Sequence, residues 1–218
     1  STGSVNQAAG FAIISYTGNI QSGQTIAHGL GGTPEMIWTK SRDSSANWTV
    51  FTKDLTTDRT LYLNTTGAQN NSGTTWGNHT STVFGVDDDP QSNGDGDATI
   101  AYLFRSIEGY SKISTYIGNG STDGVFVFTG FRPAFLLTKE ITATSGWNIR
   151  DSVRSPENVV NEVLQADTNS AEMTSNYDVD FLSNGFKLRA SASDSNTSGE
   201  TYMYWAIAEA PFKFANAR

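Results

Sequence analysis

Gly109-Tyr110-Ser111-Lys112-Ile113-Ser114-Thr115-Tyr116-Ile117-Gly118-Asn119 opens the second half of the chain as Gly10-Phe11-Ala12-Ile13-Ile14-Ser15-Tyr16-Thr17-Gly18-Asn19 opens the first. The match continues at a spacing of 99 to 102 residues. Pro34 to Lys40 (PEMIWTK) answers Pro133 to Lys139 (PAFLLTK), Trp48 to Phe51 falls on Trp147 to Arg150, and Ala101-Tyr102 falls on Met203-Tyr204. Gly109-Tyr110 also aligns with Pro211-Phe212, where a third copy would start. Self-similarity at a fixed period marks a repeated structural unit. The chain therefore reads as two tandem copies, residues 10–108 and 109–218, preceded by a small polar linker or arm over residues 1–9.

Within each copy the hydrophobic period is two, the period of a strand. Phe11 to Tyr16, Glu35 to Lys40, Trp48 to Lys53, Val83 to Val86 and Ala98 to Phe104 read as strands, with Glu35 to Lys53 as a β-hairpin. The second copy offers Ser111 to Ile117, Gly124 to Thr129, Ala134 to Lys139, Trp147 to Asp151, Phe181 to Ala190 and Thr201 to Ala208. Ser155-Pro156-Glu157 could start a helix, with Ser as cap and Pro at the first position, but Val159, Val160 and Val163 argue equally for a strand. No other stretch has a helical period. The expected class is all-β, an antiparallel β-sandwich.

The 218 residues are 37% hydrophobic and 17% charged, and carry a formal charge of −8 with 14 Lys and Arg. Nucleic acid and anionic membranes both call for clustered positive charge, so neither is an expected partner. No apolar run reaches the roughly 18 residues of a membrane-spanning helix. With no cysteine, disulfides and thiolate metal sites are excluded.

Two copies separate what the fold needs twice from what occurs once. Trp48 with Val50, Trp147 with Ile149, Tyr16 with Tyr116, and Tyr102 with Tyr204 read as core, and Gly18-Asn19 and Gly118-Asn119 as turns. Trp76 has no counterpart and lies among Gly, Thr and Asn. It is the candidate exposed aromatic, with packing beneath its own loop as the alternative. Asn78, His79 and Asp95 complete a candidate glycan surface, the ring stacking on a sugar face and the polar groups meeting its hydroxyls. The acidic run holding Asp87, Asp89, Asn93, Asp95 and Asp97 alternates oxygen ligands with Gly, as a calcium loop does, although the spacing is not that of an EF-hand. A solvated acidic turn is the competing reading. No nucleophile elbow, metalloprotease motif or phosphate loop is present, and no pair among the carboxylates stands out as a glycosidase pair. The chain reads as non-enzymatic, without a cofactor unless calcium.

As a set, Gly10-Phe11 through Gly18-Asn19, His28-Gly29-Leu30 with Pro34 and Lys40, Tyr116 to Gly124 (YIGNGSTDG), Gly130-Phe131-Arg132-Pro133, Phe181 to Arg189 (FLSNGFKLR) and Glu209 to Phe212 (EAPF) resemble a C-terminal repeat domain of tailed-bacteriophage virion proteins, notably marine and cyanobacterial ones. The resemblance implies a β-structured virion module, of tail-fibre or appendage type, exposed outside the cell and recognising the host surface, for which the candidate ligand is a glycan. It also implies a homo-oligomer, such as a trimer. The alternative role is a capsid or tail decoration contacting other virion subunits.

Overall fold

The computed structural model describes residues 1–71, 73 and 75–210; Pro211 and Phe212, aligned above with Gly109-Tyr110, lie outside the described residues. The chain divides into two compact units, residues 1–64 with 69–106, and Thr65–Ala68 with Ile107 onward. The first holds β1 (Thr2–Asn6), β2 (Phe11–Thr17), β3 (Gln24–Ala27), β4 (Met36–Ser41), β5 (Thr49–Thr52), β6 (Arg59–Tyr62), β7 (Asn70–Asn71), β8 (Val83–Val86), the single turn α1 (Pro90–Asn93) and β9 (Ala98–Phe104). The second holds β10 (Ser111–Ile117), β11 (Phe126–Phe128), β12 (Pro133–Glu140), β13 (Trp147–Asp151), β14 (Leu164–Gln165), β15 (Val179–Leu182), β16 (Gly185–Leu188), the single turn α2 (Ser193–Asn196) and β17 (Thr201–Ala208).

In the first unit one sheet runs β1-β2-β9-β4-β5-β6-β7 and a second is the pair β3-β8. In the second unit β10-β17-β12-β13-β14 faces β11-β16-β15. All pairings are antiparallel, and each pair of sheets closes on one apolar core, as in a sandwich. The run β2-β9-β4-β5 has the order of β10-β17-β12-β13, and β3-β8 has the place of β11-β16. Alternation fills the interior: Ala12, Ile14 and Tyr16 from β2 meet Ile26, Phe84 and Val86 in the first unit. Tyr116, Val127, Leu136, Phe181, Phe186 and Tyr204 meet in the second.

The two cores are pinned alike. Tyr16 Oη donates to Ser92 O (2.5 Å) and Tyr116 Oη to Ser195 O (2.8 Å). Asn93 Oδ1 accepts from Asn19 N–H and Asn196 Oδ1 from Asn119 N–H, both at 2.9 Å. Gly18 and Gly118, read above as turn residues, are required by close approach. A Cβ on Gly18 would collide with the Gly94 carbonyl, and one on Gly118 with the Thr197 carbonyl.

Several sequence expectations are corrected. Residues 1–9 are not a free linker: Thr2–Asn6 pairs with β2 from Thr2↔Ser15 to Asn6↔Phe11. Its side chains are all exposed, so backbone pairing alone orders it and no apolar pattern could announce it. The run Phe181 to Ala190 is a hairpin, β15 and β16 joined at Ser183-Asn184. Around Ser155 no helix forms; Val160 and Val163 make isolated bridges to Val179 and Met173. Tyr102 and Tyr204 are not equivalent. Thr39 lies opposite Ala101, whereas Thr138, its counterpart beside Trp147, lies opposite Tyr204. The alignment is off by one residue there, and one residue reverses the face: Tyr204 is core, while Tyr102 is half-buried against Trp48, with ring centres 6.1 Å apart.

Candidate functional site

The acidic segment is spent on structure. Asp89 caps α1, accepting from Gln91 N–H (2.9 Å) and from the buried Thr75 hydroxyl (2.6 Å). Asp87 accepts from Gly23 N–H at 3.0 Å. Asn93 is fully buried, its Nδ2 donating to Asn19 Oδ1, Gln21 O and Asp87 O. Asp97 Oδ2 accepts from Ser41 and Ser44 hydroxyls at 2.8 and 2.7 Å, which holds its pKa below the ordinary carboxylate value. Asp88 and Asp95 are the exposed acids of the run. Among the described residues no three acidic or histidine side chains gather to hold a metal. Of the residues expected as calcium ligands, Asp87, Asp89, Asn93 and Asp97 here cap and brace the turn before β9.

Trp76 is half-buried rather than displayed. It bridges to Val86, and Val179 bridges to Leu188 in the same register, so Trp76 takes the core position of Val179. Its ring lies 5.9 Å from Phe51 and its Nε1–H donates to Thr60 Oγ1 at 3.1 Å. Different loop lengths in the two copies hid this counterpart from the alignment. Asn78 is exposed beside it. His79 turns inward, edge-on to Phe51 at 4.2 Å. Its Nδ1 accepts from Gly85 N–H (3.3 Å), which leaves the hydrogen on Nε2, buried and without a partner. His28 likewise accepts from Leu30 N–H at Nδ1, so its Nε2–H donates to Thr80 O.

Burial, and then the neighbouring His28, push the His79 pKa down to about 4. A base whose folded pKa lies below its unfolded value near 6.5 binds its proton first in the unfolded chain, so stability falls as pH drops from about 6.5 toward 4. His79→Phe keeps an aromatic ring against Phe51 and removes the titration. Urea midpoints at pH 7 and pH 4.5 are expected to differ less for this variant than for the wild type; an equal acid loss in both would remove His79 as a cause.

The display of aromatic rings is elsewhere, on the outer face of β11-β16-β15. Val127 faces the core, so Phe126 and Phe128 face outward, 43% and 57% exposed. Phe126 lies opposite Lys187 and Phe128 opposite Gly185. A side chain on Gly185 would collide with the Val127 carbonyl and crowd the Phe126 ring, so the bare position lets that ring lie against the strand. Lys112 Nζ stands 5.3 Å from the Phe128 ring centre and donates to the Phe128 carbonyl at 2.8 Å. The matching strand β3 carries Thr25 and Ala27 beside Ile26, and both are exposed. Val125-Phe-Val-Phe128 thus held the signal: alternation with aromatics on both sides of an inward Val, where the other copy has small residues.

No curated protein and no solved structure is detectably similar to this chain. A family model described as a domain of unknown function, DUF7483, matches residues 1–211, and the chain belongs to that family.

Proposed function

We propose that the chain is a non-enzymatic module of a bacteriophage virion, of tail-fibre type, that recognises glycans on the host surface. The observation that carries this reading is the outward pair Phe126 and Phe128. Exposed aromatics are costly unless used, and the first unit builds the same strand with Thr25 and Ala27, so the scaffold does not require them. An aromatic ring presents a negative face, which attracts the slightly positive C–H face of a sugar ring. Lys112, Lys187 and Asp123 rim the two rings with hydrogen-bond donors and acceptors. The virion setting comes from the resemblance of the paired motifs.

Phe128→Ala tests it. A truncation at so exposed a site is expected to shift stability by no more than about 0.5–1 kcal/mol. Removing a stacking ring is expected to weaken glycan retention about tenfold, which corresponds to about 1.4 kcal/mol. Binding to an array of immobilised bacterial-type oligosaccharides measures the effect, with the melting temperature as control. A well-folded wild type that retains no glycan would sink the reading and favour a decoration role against other virion subunits.

A further inference from the structure

We propose that a polar cavity in the second unit receives the end of a neutral glycan chain whose preceding sugars lie on Phe126 and Phe128; this rests on the glycan reading above. The cavity measures about 390 Å³, and its lining includes Thr122, Asn176, Asp178, Arg189, Ser191 and Ser193. That size suits one or two sugar rings and falls within the usual range of small-ligand sites.

The lining groups are unspent. Among the described residues, the side chains of Thr122, Asn176, Asp178, Ser191 and Ser193 make no hydrogen bond to another residue, whereas nearly every polar group of the acidic turn in the first unit is engaged. Arg189 N–H donates to Asp178 O at 2.8 Å, so the ladder of β16 continues to the cavity wall. At the matching place in the first unit the residue after Val86 is Asp87, which reaches across to Gly23 N–H. In the second unit Arg189 instead turns to the outer face and pairs with Asp180 at 2.9 Å. Hydroxyl, amide and carboxylate groups left in this way around one hollow are the partners that vicinal sugar hydroxyls need, each of which both donates and accepts.

Arg189 also joins cavity to rings. It has the same parity as Gly185 and Lys187, hence the same outer face, and four residues of strand from Gly185 to Arg189 span about 13 Å. A short oligosaccharide covers that length. Charge decides the class of ligand: Lys187 is paired with Asp123 at 2.9 Å and Arg189 with Asp180, while Asp178, which feels the buried Arg150, adds a carboxylate at the cavity. No cation there is left over for sialic acid or sulfate, and a neutral sugar end fits.

The test uses the full chain on an array of immobilised oligosaccharides ending in neutral hexoses or N-acetylhexosamines, with sialylated and sulfated counterparts. Ser191→Trp fills the cavity from an exposed position; Asp178→Asn removes its carboxylate. The expected result is retention of neutral probes, a loss of at least tenfold for Ser191→Trp at unchanged melting temperature, and a several-fold loss for Asp178→Asn. Should the indole lower the melting temperature, Asp178→Asn alone decides. Wild-type binding by both variants, with binding lost only in Phe128→Ala, would overturn the cavity and leave the adhesion reading standing. Retention of charged probes alone would overturn the neutral class. No retention by the wild type would overturn both readings.

Discussion

Asn196→Asp is expected to destabilise the second unit by about 3–5 kcal/mol, and Asn93→Asp the first by a similar amount, although each exchange alters one atom. Asn196 is fully buried and its Nδ2 donates to Asn119 Oδ1 (3.1 Å), Ser121 O (2.8 Å) and Ala190 O (3.0 Å). In the aspartate an oxygen faces three oxygens, and the buried carboxyl lacks any cation among those partners. Ionised, it repels all three; protonated, it has one hydrogen to offer them. Burial raises the folded pKa of such a carboxyl above its unfolded value. Its penalty is therefore smallest below the unfolded pKa and grows as pH rises through the folded one. Urea unfolding at pH 7 and pH 4 checks both the size and the sign. A variant with the wild-type midpoint at pH 7 would mean that the turns joined by this amide stand without it.

The paired motifs show how far the sequence could be read. Tyr16 and Tyr116, Asn19 and Asn119, and Gly18 and Gly118 were visible because they recur, and they belong to one hydrogen-bonded knot in each unit. Their partners Asn93 and Asn196 were hidden. Asn93 sat inside an acidic run whose composition resembled a cation loop, and the physical signal that it is core, full burial with three donated hydrogen bonds, is a property of the folded turn. Strand β1 was invisible for the opposite reason: its stability is in backbone pairing, and STGSVN carries no pattern. Trp76 was misplaced because an aromatic among Gly, Thr and Asn reads as exposed until the bridge to Val86 aligns it with Val179. Phe126 and Phe128, like Trp76, are aromatics without an aromatic counterpart in the other unit, but they are exposed where Trp76 is half-buried. Seeing this needs residue-level registration between the copies, and insertions of unequal length withhold it.

Arg150 offers the largest contrast between two substitutions at one site. It is fully buried, with Nε donating to Tyr177 O (3.0 Å), Nη1 to Thr138 Oγ1 (3.1 Å) and Nη2 to Ser195 Oγ (3.3 Å). None of these partners is a carboxylate, and burial pushes its pKa down to about 10, so it stays charged at neutral pH. Leu136 faces Arg150 as Ile37 faces Phe51, so the first unit fills the same position with an apolar ring. Arg150→Ala is expected to cost about 3–5 kcal/mol, by leaving a cavity and stranding the Tyr177 carbonyl. Arg150→Met fills most of the volume and removes a buried charge that is expensive to desolvate, so about 1–2 kcal/mol is expected. Thermal or urea unfolding separates the two, and equal losses would show that the donor fork, not the packing, holds the site. The Met variant also reaches function. Tyr177 stands between Asn176 and Asp178, both of which line the polar cavity, and the Arg150 bond to Tyr177 O ties that segment to the core beside the Arg189 N–H bond to Asp178 O and the Tyr177 hydroxyl bond to Asp194. With this one tie removed and the fold kept, the glycan reading expects retention to fall several-fold while Phe126 and Phe128 remain in place. Unchanged retention would separate the cavity wall from its anchor and leave Arg150 a residue of stability alone.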